Sequence, residues 1–141
     1  MIVLDTNVVS EPLKLKPDPE LMRWLSIQAP TTLFITTITA AEMFTGVEKM
    51  PKGRRRDALR AAVNDQVLPL FSDRVLTFDL SAASAFSKVI AAANAVGNDI
   101  DFADAAIAAI AISNDFVLAT RNLRDFRGVP VQILNPWVEA R

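Results

Sequence analysis

Apolar residues in this chain fall into short continuous runs set between longer mixed segments. Met1-Ile2-Val3-Leu4 is apolar throughout and stops at Asp5-Thr6-Asn7, which reads as a buried strand ending in a polar turn. Leu33-Phe34-Ile35-Thr36, Arg74-Val75-Leu76-Thr77-Phe78, Phe116-Val117-Leu118-Ala119-Thr120 and Val131-Gln132-Ile133-Leu134 give four more strands. Helical segments lie between them. Asp18-Pro19 places an N-cap before a proline at the first helical position, and predicts a helix to about Gln28. A second helix begins near Thr37 or Thr39 and runs to about Met50, where Pro51 and Gly53 break it. Arg54 to Val67 forms a third. Ser81 opens a long Ala-rich helix ending at Gly97, a residue suited to a helix C-terminus. Asp101 to Asn114 is apolar around most of its circumference, so it should lie deep in the fold. A short helical turn covers Asn122 to Phe126.

Strands therefore alternate with helices, and the strands are continuously apolar, as expected where both faces of a parallel sheet are covered. The pattern predicts an α/β fold: a three-layer α/β/α arrangement around a central, mostly parallel sheet of four to five strands. The 141 residues suit one domain spanning 1–141. The longest fully apolar run, Ala105 to Ile112, is far short of the ~20 residues of a membrane-spanning helix. Asp5 and the lack of a basic leading segment argue against a signal peptide.

Composition narrows the chemistry. The chain has no His, no Cys and no Tyr. Within it there can be no Ser-His or Cys-His nucleophile pair, no imidazole acid or base, and no zinc site of His and Cys. The lack of cysteine fits a reducing, cytoplasmic setting. Sixteen Asp and Glu make hard-cation oxygen chemistry the easiest to assemble.

Three acids and one polar segment occupy suggestive places. Asp5 follows the first strand, at the sheet's carboxyl edge, where α/β sheets place their sites; it can equally cap a short helix opening at Thr6. Glu42 interrupts the apolar stretch Ala40-Ala41-Glu42-Met43-Phe44, and faces either solvent or a site. Asp104 lies in the first turn of the buried helix, where it can serve the helix dipole or a protected site. Thr120-Arg121-Asn122 follows the fourth strand, at the same edge as Asp5 if the two strands are parallel. Taken together these positions can converge. Close carboxylates repel one another, and Mg²⁺ or Mn²⁺ relieves that repulsion and supports in-line phosphoryl displacement without histidine.

These motifs resemble those of PIN-domain ribonucleases of the VapC toxin type, in the FitB-like branch. The resemblance runs from residue 2 to 137. It is carried by Ile2-Val3-Leu4-Asp5-Thr6-Asn7-Val8-Val9-Ser10-Glu11, Thr39-Ala40-Ala41-Glu42, Phe102-Ala103-Asp104-Ala105-Ala106-Ile107-Ala108-Ala109, Ala119-Thr120-Arg121-Asn122 and Asn135-Pro136-Trp137. It implies a PIN domain with Asp5, Glu42, Asp104 and Asn122 as catalytic residues, and Asp5 and Asp104 as direct ligands of Mg²⁺ or Mn²⁺. It further implies endonucleolytic hydrolysis of single-stranded or structured RNA, a homodimer, and a cognate VapB-type antitoxin whose complex with the toxin binds operator DNA. Many family members have Asp where this chain has Asn122, which brings no charge. Asp125 and Asp101 are nearby substitutes for that fourth acid.

Charge bears on the substrate. Lys52, Arg54, Arg55, Arg56 and Arg60, less Asp57, give a local +4 against −5 for the rest of the chain. Such a stripe is either a solvated helix face or an attractor of phosphate backbone. Arg121, at the proposed edge, can bind phosphate bidentately or pair with a site carboxylate. Trp24 and Trp137 read as core or interface residues. Two other readings stand beside the nuclease. One is a catalytically silent module of the same fold that binds RNA or an antitoxin tail. The other is an aspartyl-phosphate enzyme using Asp5. That chemistry wants a second acid two residues on, where this chain has Asn7.

Overall fold

The computed structural model describes residues 1–139. Five strands, β1 (Ile2–Leu4), β2 (Leu33–Thr36), β3 (Val75–Leu76), β4 (Val117–Ala119) and β5 (Ile133–Leu134), form one sheet in the order β3-β2-β1-β4-β5. Every adjacent pair is parallel. The chain leaves β1 toward β2 and β3, then returns past β1 to β4 and β5. The order reverses between β1 and β4, the topological switch point at which such sheets bind ligands.

The helices are α1 (Thr6–Ser10), α2 (Pro19–Ser26), α3 (Thr37–Lys49), α4 (Arg54–Ala62), α5 (Leu68–Leu70), α6 (Leu80–Ala95), α7 (Phe102–Ser113) and α8 (Pro136–Glu139). Helices α1–α4 and α8 cover one face of the sheet, over a core that includes Leu4, Ile35, Met43, Val63 and Trp137. Helices α6 and α7 cover the other, packing against Val3 and Leu118. The run Ala105–Ala111 of α7 is fully buried, as its apolar circumference predicts. This is the three-layer architecture expected from the sequence.

Helix starts are fixed by side-chain caps. Asp18, Thr36, Asp79 and Asp101 each accept a backbone N–H of the first turn. Asp79 starts α6 one residue ahead of the expected Ser81. At its far end Gly97 adopts a left-handed φ of 73°. There Asn98 N–H donates to the Ala93 carbonyl and Gly97 N–H to that of Asn94, a Schellman closure.

Three boundaries differ from expectation. The helix expected to stop at Val67 widens into a π-turn over Val63–Val67 and continues as α5. Pro69 accounts for this: it lacks an N–H and its ring crowds the carbonyl four residues back, so a regular α-turn cannot run through it. Strand β3 pairs only at Val75–Leu76. Arg74 turns its backbone N–H to the Phe71 carbonyl, and Asp79 N–H bonds back to Thr77. Strand β5 pairs only at Ile133–Leu134, after a tight turn in which Val131 N–H donates to the Val129 carbonyl.

Candidate active site

Parallel pairing sets Leu4 opposite Ala119, so the residues that follow, Asp5 and Thr120, leave the sheet side by side at the switch point. Asp5 is buried and so is Thr120. The Thr120 hydroxyl donates to Asp5 Oδ2 at 2.7 Å. Asn7 Nδ2 donates to the same oxygen at 3.1 Å, and the Thr6 N–H donates to Oδ1 at 2.7 Å. Asp5 is therefore both the cap of α1 and a carboxylate pinned at the sheet edge. Burial raises its pKa, partly offset by bonds from Thr120, Thr6 and Asn7; the negative charge of Asp125 adds to the rise.

Thr120 and Asn7 also organise the loop after β4. The Asn122 N–H donates to the Thr120 hydroxyl at 3.1 Å and the Arg121 N–H to Asn7 Oδ1 at 3.4 Å. The Asn122 side chain is exposed and makes no hydrogen bond among the described residues. Asp125 follows in a 3-10 turn, Leu123–Phe126.

Glu42 lies on α3 and is solvent-exposed. The Thr6 hydroxyl donates to its Oε1 at 2.6 Å, and Thr39 Oγ1 lies 3.0 Å from Thr6 Oγ1. Asp104 is half-buried in the first turn of α7, with its N–H bonded to the cap Asp101 at 2.8 Å. Its carboxyl is pushed up to about 7, first by burial, then by the negative charges of Asp101, Asp5, Asp125 and Glu42. The three acids singled out in the sequence thus share one electrostatic environment with Asp101 and Asp125.

The donors are hard oxygens, and a divalent cation would offset both the burial and the mutual repulsion that raise the Asp104 carboxyl, so these residues fit Mg²⁺ or Mn²⁺. Among the described residues no three carboxylates are gathered as a finished ligand set.

The basic candidates part company. Lys52, Arg54 and Arg55 are exposed and form no ion pair among the described residues, whereas Arg56 and Arg60 both reach Glu48 on α3, at 3.1 and 2.9 Å. Arg55 lines a cleft of about 450 Å³ with Thr6, Glu42, Lys14, Met43 and Leu59, which opens beside the acidic edge. Arg121 pairs with no carboxylate among the described residues. Its guanidinium lies 4.8 Å over the ring of Trp137, which is buried.

Sequence reasoning missed several residues. The hydroxyls of Thr6 and Thr39 and the Asn7 amide, with the Thr120 hydroxyl from the polar segment already singled out, build the hydrogen-bonded frame of the acids. Their signal lay in hydroxyl residues next to strand ends and one helical turn before Glu42, since buried hydroxyls must find partners. Glu11 is buried too. It accepts the Asp18 N–H at 3.0 Å and pairs with Lys14 at 2.7 Å, which keeps its pKa below the ordinary value.

A parallel α/β sheet with buried and half-buried carboxylates around its switch point defines the class: an acid-site α/β protein suited to hard-cation chemistry. The family model described as PIN domain matches residues 2–131. The chain is similar to the plasmid stability protein StbB of Pseudomonas syringae pv. tomato, at 42% identity over 97% of this chain and 99% of that protein. It is likewise similar to the VapC ribonuclease Y4jK of Sinorhizobium fredii, at 41% identity over 99% of this chain and 100% of the other. A solved structure of FitAB bound to an IR36 DNA fragment superposes with a TM-score of 0.91 at 36% identity, covering 97% of this chain and 96% of that one. The chain belongs to the PIN-domain family, in the FitB-like branch of its VapC-type members.

Proposed function

We propose that this protein is a Mg²⁺- or Mn²⁺-dependent endoribonuclease and the toxin of a VapBC-type toxin–antitoxin pair. It acts in the cytoplasm as a homodimer, built on a single PIN domain over 1–141. The observation that carries the reading is the gathering of acids at the switch point: Asp5 pinned beside Thr120 where β1 and β4 end, Glu42 bonded to Thr6, and Asp104 half-buried at the start of α7, its carboxyl raised by burial and by the neighbouring carboxylates. Buried and half-buried carboxylates that raise one another's pKa are suited to binding a divalent cation.

Asp5 and Asp104 would hold the cation, with Glu42 beside them. When bound, the cation supplies charge stabilisation and water activation for in-line hydrolysis of a phosphodiester, leaving a 3′-hydroxyl and a 5′-phosphate. Thr120 and Asn7 keep Asp5 fixed while charge develops, and Asn122 orients groups at the rim. Lys52, Arg54 and Arg55 draw the phosphate backbone of RNA toward the edge without selecting sequence. Arg56 contributes less, because Glu48 already compensates it, and Arg121 bears on substrate from its stack on Trp137. The cleft between α1, α3 and α4 would receive a segment of the antitoxin, which would carry the complex to operator DNA. The relative named VapC ribonuclease and the DNA-bound FitAB complex support this assignment.

Asp5→Asn should abolish Mn²⁺-dependent cleavage of a mixed single-stranded RNA pool while circular dichroism and antitoxin binding stay intact. Undiminished cleavage by that variant sinks the proposed site. The uncharged Asn122 favours a second reading, a silent binding module. The wild-type protein decides between them: cleavage with Mn²⁺ and none with chelator supports the nuclease.

A further inference from the structure

The Thr6 hydroxyl has one proton and two close neighbours, Glu42 Oε1 at 2.6 Å and Thr39 Oγ1 at 3.0 Å. A carboxylate oxygen only accepts. Thr6 therefore gives its proton to Glu42, and its oxygen can only accept from Thr39. The Thr39 hydroxyl makes no other hydrogen bond among the described residues. The chain has one direction: Thr39 to Thr6 to Glu42.

Thr39 is well placed to set that direction. It is fully buried, β-branched and one turn ahead of Glu42 on α3. Its N–H is tied to the Thr36 hydroxyl at 3.0 Å. Glu42, by contrast, is exposed, with three free torsions and the Thr6 bond as its one hydrogen bond among the described residues. We infer that Thr39 is a positioning residue: by donating to Thr6 it locks the Thr6 hydroxyl toward Glu42, and so holds the Glu42 carboxylate at the acidic edge. The inference rests on the proposed reading of that edge as a cation-binding nuclease site.

The test is Mn²⁺ titration by calorimetry alongside RNA cleavage, on the full chain. Thr39→Val keeps the branched shape and removes the hydroxyl. It should weaken Mn²⁺ binding about fivefold, the scale of one hydrogen bond to a charged group lost in part. Thr39→Ser should restore binding. In a Glu42→Gln background, Thr39→Val should add nothing. If Thr39→Val does not fold, Thr6→Val, at a half-buried position, should give the same loss and the same dependence on Glu42. Unchanged Mn²⁺ affinity in Thr39→Val or in Thr6→Val, or an equal loss with and without Glu42, overturns the inference. The underlying reading fails separately: there, Glu42→Gln alone leaves both Mn²⁺ binding and cleavage untouched.

Discussion

Replacing Asp104 with Asn removes a charge that the fold holds at a cost, and the cost depends on pH. The carboxyl moves from an ordinary 3.8 to about 7, through burial first and then repulsion from Asp101, Asp5, Asp125 and Glu42. Between these values the native protein keeps a proton that the unfolded chain has released. The native state binds more protons, so stability falls as pH rises from about 4 to about 7. Taken whole, that displacement is worth about 4 kcal/mol. Asp104 is only half-buried, and solvent screening reduces the figure to about 1–2 kcal/mol. Asn keeps the N–H that bonds to Asp101 and nearly the same shape, but has no proton to lose.

In chelator, wild type and Asp104→Asn should therefore melt together near pH 4 and separate as pH rises. At pH 8 the variant should melt roughly 3–8 °C higher. Urea midpoints across the same pH series give the free energy directly. With saturating Mn²⁺ the order should reverse, because the wild type gains binding energy that the variant loses. Parallel stability curves in chelator would refute the reasoning, as would a variant less stable than wild type at pH 8.

Thr120→Val should cost about 1–3 kcal/mol in urea denaturation, because it strips a bond from buried Asp5 and leaves the Asn122 N–H without its acceptor; a loss below 0.5 kcal/mol would deny Thr120 that role. Replacing Lys52, Arg54 and Arg55 together by Ala should lower the salt dependence of RNA binding by about two in the log–log slope, at about 0.7 per phosphate contact on a single strand. Arg56→Ala should barely change that slope, and equal effects from the two variants would show that the ion pair with Glu48 does not matter.

The sequence made the central strands and α7 legible because each carries a continuous apolar run, Ala105 to Ile112 in α7, and such runs have few places to go except the interior. Asp5 and Asp104 were legible for the same reason: each is a charge set against a buried element. What was hidden depends on contacts between distant segments. Glu48 captures Arg56 and Arg60 across the break at Pro51–Gly53, a contact that no periodicity in α3 or α4 predicts. Glu11 closes the first motif with nothing local to show that it is buried; the loop that follows brings Asp18 N–H and Lys14 onto it. The stack of Arg121 on Trp137 joins residues whose elements meet only after β5 has been added to the sheet.

The two readings of Asp5, helix cap and site acid, turn out to be one. A carboxylate offers about four lone-pair positions. Thr6 N–H takes one on Oδ1, while Thr120 and Asn7 take two on Oδ2. About one position is left, enough for a single bond to a cation. The cap is what makes that position useful, because three donors from two segments fix the carboxylate in a buried place where water cannot reorganise around it. Burial still raises its pKa despite those bonds, so the frame does not fully compensate the charge. Asp5 and Asp104 are both raised, first by burial, and a divalent cation at the proposed site would supply the compensation that the protein's own donors leave incomplete.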